Sequence, residues 1–247
     1  MKSSSTIRFI DKYLGSFLCL LFSFVQVPFK RKPSGKSFDN ILFIELFEMG
    51  ASVMAYPSVH YIKSKFPTSN IYVLTTKSIA PSWLKISEIP SAHVLALDDS
   101  GILRFIASIA RCIRTINSWN IDVVIDLELF LRITALISFF LKADRKAGFF
   151  RYNLEGLYRG NIHNIRCHFN QNSHIARNFL ALTKTSLSTS TEHPDYKNSI
   201  PLSELTYGRC SSQANIRAAF ENRIDISLSK SYVAIAPDVG HNLSIRN

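Results

Sequence analysis

The chain has 247 residues, which is long enough for one large or two small domains with a substantial core. Hydrophobic residues make up 47% of it and charged residues 19%, a composition that excludes an intrinsically disordered protein. The net charge of +11 is uneven, because the first 36 residues hold seven basic residues and one acid. A basic terminus beside an apolar run favours an anionic membrane surface over nucleic acid as a partner.

Residues 13–29 are the most apolar segment of the chain. Seventeen helical residues reach only about 26 Å, short of a hydrocarbon core of roughly 30 Å. The pattern favours a monotopic helix lying in the membrane interface, with Lys30, Arg31 and Lys32 on lipid phosphates. A true membrane span and a helix docked on the protein remain as alternatives.

The four cysteines are far apart and make no CxxC pair, which indicates a reducing cytoplasm.

Five short apolar runs alternate with helical patterns after a Pro/Gly/Ser linker at 33–39. The runs predict strands at 41–44, 70–75, 93–97, 121–126 and 145–149. Helices are predicted within 53–62 and over 81–86, 102–119, 129–141 and 174–182. This alternation predicts an α/β fold, a Rossmann-like parallel sheet covered by helices on both faces.

The segment 40–63 is the first half of a βαβ unit, and the functional site is expected there. An apolar strand is followed by a tight turn, Glu48, Met49 and Gly50, and then by a helix. Ligands of parallel sheets bind at the carboxyl ends of the strands, where this turn would lie. Glycine at such a turn lets the backbone approach a ligand, although a plain tight turn is equally compatible with it.

Beyond residue 183 the composition turns to Ser, Thr, Lys and Pro, which indicates a surface loop or linker. A helix is predicted at 213–222 and a buried strand at 231–237. The predicted domains are therefore a membrane-associating segment with its linker (1–37), a Rossmann-like domain (38–206) and the linker helix and first strand of an incomplete second α/β domain (207–247).

Several stretches together resemble glycosyltransferase family 9, which includes the bacterial lipopolysaccharide heptosyltransferases and has the GT-B fold. They are the opening strand with EMG and the helix carrying Pro57, then IDVVIDLELFLR, AGFFRYNLEGLYRG, HFNQNSHIARNFLAL and YVAIAP. The leader IDKYLGSFLCLLFS is also similar to the N-terminal helix of some members. The resemblance implies two Rossmann-like domains, with the acceptor on the first and a nucleotide-sugar on the second, and a chain truncated after the first.

The resemblance also implies a catalytic base, generally an Asp directly after the turn glycine, to take the proton of the acceptor hydroxyl. This sequence has Ala51 at that position, which is its main departure from the family pattern. Glu48 lies in the same turn and is predicted to act as the base instead; the alternative is a solvated turn carboxylate. Met49, Gly50 and Ala51 are predicted to contact the substrate, and neither a metal nor another cofactor is expected.

Further residues are predicted to bind the acceptor. Glu128 and Arg132 follow the strand ending at Asp126 with a spacing of four residues; the alternative is an exposed ion pair at a helix start. Asp126 itself is a candidate cap for the next helix. The polar loop after residue 150 supplies the candidates Arg151, Tyr158 and Arg159, whose guanidinium groups suit phosphates or carboxylates. His174 opens the next helix and is either a ligand contact or a structural hydrogen-bonder.

The leading hypothesis is an inverting, metal-independent glycosyltransferase that moves a heptose-like sugar from a nucleotide-sugar donor to a lipid-linked lipopolysaccharide-core or related glycan acceptor. The basic, apolar terminus is consistent with work at the inner face of the cytoplasmic membrane. The alternative is a non-catalytic, membrane-associated module that only binds the acceptor, which Ala51 favours. A basic nucleic-acid binder is the weaker third hypothesis, because no RNA-binding signature is present.

Overall fold

Six parallel strands form one sheet in the computed structural model, which describes residues 11–26, 38–46, 48–86, 88–129, 131–150 and 159–188. The strands are β1 (Asn40–Ile44), β2 (Asn70–Thr76), β3 (Val94–Leu97), β4 (Val123–Asp126), β5 (Arg145–Phe149) and β6 (Ile165–Cys167). Their order in the sheet is β3-β2-β1-β4-β5-β6, and every neighbouring pair is parallel. This is the order of a doubly wound Rossmann-like fold, in which the crevice for ligands opens at the carboxyl ends of β1 and β4.

Helices cover both faces of this sheet. They are α1 (Ser16–Gln26), α2 (Met49–Met54), α3 (Tyr56–Lys65), α4 (Ala80–Trp83), α5 (Ile102–Ser118), α6 (Ile133–Phe140) and α7 (Ile175–Ser186). Alternate residues of β1 point to opposite faces: Ile41 and Phe43 pack in the core shared by α2, α3, α4 and α7. Leu42 and Ile44 pack in the core shared by α5 and α6. Because both faces are buried, β1 is a continuous apolar run after Asn40, as parallel strands generally are.

The predicted α/β architecture is confirmed, with all five predicted strands present. Several boundaries differ. The helix predicted within 53–62 is two helices that meet at Ala55, α6 begins four residues later than predicted, and α7 extends to Ser186. Strand β6 lies where a loop was predicted. It was not predicted as a strand because it has only three residues and a charged Arg166 at its centre. The predicted helix 213–222, strand 231–237 and incomplete second domain lie outside the described residues.

Helix α1 docks on the domain, which is one of the two alternatives to the favoured interfacial arrangement. A π-helical turn, Asp11–Gly15, leads into it. Cys19 and Ser23 are buried against the domain, and Phe22 stacks on Phe139 of α6 with ring centroids 4.6 Å apart. None of the helices within the described ranges has the length and hydropathy needed to cross a membrane.

Candidate functional site

A small pocket lies at the carboxyl ends of β1 and β4, where the strand order reverses. Residues following both strands line it, together with one residue each from α2 and α7: Glu45, Glu48, Ala51, Leu127, Glu128, Leu129 and Phe179. This is the position at which open α/β sheets bind their ligands. The structure therefore brings together three of the predicted site residues, Glu48, Ala51 and Glu128.

Glu45 is a pocket residue that the sequence analysis missed. It directly follows β1 and is buried. Its Oε2 accepts a hydrogen bond from Trp83 Nε1 at 3.0 Å, and its Oε1 accepts one from the backbone N–H of Glu48 at 2.8 Å. An acid at the end of a buried strand was the available signal: Glu45 directly follows β1, and Asp126 is the last residue of β4. Glu45 fixes the backbone from which the Glu48 side chain projects.

The predicted turn at 48–50 is wrong in detail, because α2 begins at Met49 and Gly50 lies within its first turn. Glu48 is exposed at the start of this helix and makes no side-chain capping bond. Gly50 has no positive φ, and a Cβ added there would meet no atom within 4 Å. The methyl group of Ala51 packs in the core. There is therefore open space beside Gly50, and the Glu48 carboxylate is exposed next to it. The position after the glycine, at which the resemblance implies an acid, carries the buried methyl group of Ala51.

Glu128 is a buried carboxyl group beside the pocket. Its Oε1 accepts a hydrogen bond from the backbone N–H of Leu46 at 2.8 Å, and the Leu46 carbonyl accepts one from Thr76 Oγ1 at 2.8 Å. Burial raises the pKa of Glu128 to about 7; the Leu46 bond opposes this, and the carboxylates of Glu45 and Asp126 add to it. A carboxyl group with a pKa near neutrality, placed in a ligand crevice, is typical of functional sites.

A buried ion pair lies on the other face of the sheet. Asp126 Oδ2 is 2.8 Å from Arg159 Nη1 and 3.3 Å from His163 Nε2. Burial opposes ionisation of Asp126, but Arg159 and then His163 outweigh it, so the pKa of this carboxyl lies below its ordinary value. Burial lowers the pKa of His163, which is therefore neutral near pH 7. Arg159 does not line the pocket, and its role as an acceptor ligand stays a prediction.

Arg132 also lies beneath α1 and not in the pocket. Its side chain is buried and pairs with Asp11, with 3.4 Å between Nη1 and Oδ2. The Asp11 carboxylate also accepts hydrogen bonds from the backbone N–H groups of Arg132 and Ile133, at 3.0 Å each from Oδ1. It therefore caps α6. Two alternatives are thus wrong: the cap is not Asp126, and Glu128 and Arg132 are not an exposed ion pair, because both are buried.

The remaining predicted site residues are more distant or not described. His174 precedes α7, where its Nδ1 accepts a hydrogen bond from the backbone N–H of Ala176 at 3.3 Å, which is the structural role considered for it. Arg151 and Tyr158 lie outside the described residues, as does the polar loop between them. Within the described ranges, no group of three or more His, Cys, Asp or Glu side chains is placed to hold a metal ion.

Two glycines near these groups should respond differently to replacement by alanine. A Cβ at Gly148 would lie 2.6 Å from the His163 ring, whereas Gly50 has open space. Gly148→Ala is therefore expected to lower the free energy of unfolding by about 1–3 kcal/mol. Gly50→Ala should leave it unchanged or raise it by up to about 1 kcal/mol, since alanine favours a helix. Urea unfolding of both variants checks this; equal stabilities would mean that His163 moves aside without cost.

Comparison with solved structures finds the same fold in glycosyltransferases. The glycosyl transferase family 9 structure from Veillonella parvula DSM 2008 matches with a TM-score of 0.59 and 16% identity, covering 79% of this chain and 53% of that one. E. coli ADP-heptose lps heptosyltransferase II matches with a TM-score of 0.55 and 13% identity, covering 76% and 51%. E. coli heptosyltransferase WaaC with ADP matches with a TM-score of 0.50 and 17% identity, covering 62% and 49%.

These likenesses are structural, since the sequence matches no protein-family model and no curated protein. The chain spans about half the length of each of the three solved structures. One further structure, E. coli heptosyltransferase WaaC, was crystallised with ADP-2-deoxy-2-fluoro heptose and covers 64% of this chain. The predicted resemblance to glycosyltransferase family 9 is confirmed as a likeness of fold.

Proposed function

We propose that the chain is the acceptor-binding part of an inverting glycosyltransferase, and that the pocket at the ends of β1 and β4 receives the acceptor. The observation that carries this proposal is that Glu48, Ala51 and Glu128 line one pocket at the switch point of the sheet. The fold likeness to three glycosyltransferase structures supports it. The donor is a nucleotide-sugar, with ADP-heptose as the first one to test, and the acceptor is a lipid-linked glycan of the lipopolysaccharide-core type.

In this proposal Glu48 is the base. The acceptor hydroxyl oxygen attacks the anomeric carbon, its proton passes to the Glu48 carboxylate, and the nucleoside diphosphate leaves with the bonding electrons. Glu48 suits this role because it is exposed at the pocket, while Glu45 holds its backbone at 2.8 Å. Glu128, half protonated near pH 7, is placed to hydrogen-bond an acceptor hydroxyl in either protonation state.

Glu48→Gln is expected to lower kcat by about 10²–10⁴-fold, because the amide cannot take the proton. The measurement, made with a nucleotide-sugar-binding domain supplied, is release of ADP from ADP-heptose in the presence of a lipopolysaccharide-core oligosaccharide. Glu88→Gln is the matched control: Glu88 also carries a carboxylate on this face, but it accepts a hydrogen bond from the Tyr56 hydroxyl at 2.7 Å and does not line the pocket. Wild-type turnover in Glu48→Gln would refute the assignment of the base.

The second candidate function is a non-catalytic module that binds the acceptor alone. The observation in its favour is the buried methyl group of Ala51 at the position of the family's acid. Titration calorimetry with the same oligosaccharide distinguishes the two functions. Binding with no ADP release, even when a nucleotide-sugar-binding domain is supplied, would establish the module, whereas binding with turnover would establish the enzyme. Absence of both would overturn the proposal that the pocket is an acceptor site.

A further inference from the structure

Exposed apolar side chains are concentrated on one side of the molecule, which we call the apolar layer: α1 with its leading turn, α5 and α6. Among the described residues, twelve large hydrophobic side chains are exposed, and ten of them lie on this layer. The ten are Tyr13, Leu14, Phe17, Leu20, Leu21, Phe24, Ile102, Leu103, Ile106 and Phe140. Single exposed hydrophobic residues are ordinary, but a concentration of this kind on one side marks an interaction surface.

Helix α1 is held with its apolar face outward. The two residues buried deepest on its inward face are small, Cys19 and Ser23, with Leu18 and Phe22 packed beside them. Ser23 Oγ accepts a hydrogen bond from the backbone N–H of Asn161 at 2.7 Å. Phe17 and Phe24 are 61% and 70% exposed. An ordinary surface helix has the opposite arrangement, with its apolar stripe toward the core. The orientation is fixed by contacts to the domain, so the exposed face is a built feature.

Helix α5 continues the pattern from a different part of the sequence. Leu103 and Ile106, in its first two turns, are 84% and 58% exposed. The same helix carries exposed Arg104, Arg111 and Arg114. Helix α6 packs between the other two, against Phe22 of α1 and within the core that it shares with α5.

The charge of the apolar layer fits an anionic partner. Helices α1, α5 and α6 contain no Asp or Glu, and α5 contributes three arginines. The one acid in the leading turn, Asp11, points toward the domain and caps α6. Lys12, in the leading turn, adds a further positive charge. Cations beside an apolar helical face are the signature of binding to anionic lipid.

We propose that the apolar layer docks on the surface of an anionic lipid bilayer, with the side chains of α1 and the start of α5 inserted at the boundary of headgroups and acyl chains. The start of α5 follows the carboxyl end of β3, and Asp11 contacts the start of α6, which follows the carboxyl end of β4. The inserted residues therefore lie toward the same edge of the sheet as the pocket. The proposal stands on this surface alone and does not depend on the transfer reaction.

Vesicle flotation of the full chain tests the proposal, with vesicles of phosphatidylglycerol and phosphatidylcholine in equal amounts, and vesicles of phosphatidylcholine alone. Two double variants remove apolar area without adding charge: Phe17→Gln with Phe24→Gln in α1, and Leu103→Gln with Ile106→Gln in α5. Leu84→Gln is the matched control, because Leu84 is exposed but lies on the opposite layer. The substituted residues are exposed, so the thermal unfolding midpoint should stay unchanged, which shows that each variant folds.

The wild-type chain is expected to float with the anionic vesicles and far less with the neutral ones. Each double variant should lose at least about tenfold in partitioning, and Leu84→Gln should float like the wild type. Failure of the wild type to bind, or wild-type binding by either double variant, would overturn the proposal. A concentration-dependent dimer that the double variants dissociate, seen by ultracentrifugation without lipid, would assign the surface to a second copy and would also overturn it.

Discussion

Arg159→Met is expected to lower the free energy of unfolding by about 3–5 kcal/mol at neutral pH, the largest effect of any single substitution considered. The side chains of Asp126 and Arg159 are 0% and 2% exposed, and their ion pair is 2.8 Å long. Removing the guanidinium leaves the Asp126 carboxylate buried beside a histidine that burial keeps neutral. A charge that is buried has lost its hydration, and only the opposite charge beside it offsets that loss. Removing one partner of a buried ion pair therefore lowers the free energy of unfolding strongly.

The double variant Arg159→Met with Asp126→Asn should recover most of that loss, because replacing both partners of a buried pair by neutral groups is often close to neutral. Lys77→Met is the matched control. It breaks an ion pair of similar length, 2.7 Å to Asp98, but the Lys77 side chain is 60% exposed. Exposed pairs contribute little, so its unfolding midpoint in urea should be close to that of the wild type. Equal losses for Arg159→Met and Lys77→Met would contradict the argument from burial.

The sheet could be predicted from the sequence because the signal for each strand lies within the residues of that strand. Strands that are buried on both faces are largely apolar, and runs such as residues 41–44 and 123–125 show this without reference to any other segment. Strand β6 escaped prediction for the same reason. It has three residues and pairs only with β5, so its alternate residue, Arg166, is half-buried and interrupts the run.

The environment of the candidate site depends on contacts between distant segments, which no local pattern contains. Asp11 caps a helix that begins 122 residues later in the chain, at Ile133. The buried carboxyl group of Glu128 accepts a hydrogen bond from the backbone N–H of Leu46, which is 82 residues away in the sequence. Sequence spacing located Glu48 and Glu128 near the pocket, because the carboxyl ends of adjacent parallel strands meet at one edge of the sheet. Sequence spacing gave no indication that Arg132 and Arg159 would be buried in ion pairs outside the pocket.

The buried carboxyl group of Glu128 makes the fold less stable as the pH rises. Its pKa is raised from 4.5 to about 7. Below pH 4.5 the group is protonated in both the folded and the unfolded chain, so it has no effect on stability. Between pH 4.5 and 7 the unfolded chain releases the proton and the folded chain retains it, so the free energy of unfolding falls. Above pH 7 the group is ionised in both the folded and the unfolded chain, and the free energy of unfolding is about 3 kcal/mol lower than below pH 4.5.

Glu128→Gln is therefore expected to raise the free energy of unfolding by up to about 3 kcal/mol at pH 8 and to leave it nearly unchanged at pH 4. The glutamine Oε1 can still accept the Leu46 N–H, so the loop after β1 stays attached to β4. Urea unfolding of the wild type and the variant across this range gives the difference, in which the titration of groups that do not interact with Glu128 cancels. Glu48→Gln, which replaces an exposed carboxylate by the same amide, serves as the control. A difference that stays constant with pH would show that Glu128 is ionised as readily in the folded chain as in the unfolded one. A variant that is more stable but binds the acceptor oligosaccharide less well would show that Glu128 is kept in the pocket for function at the expense of stability.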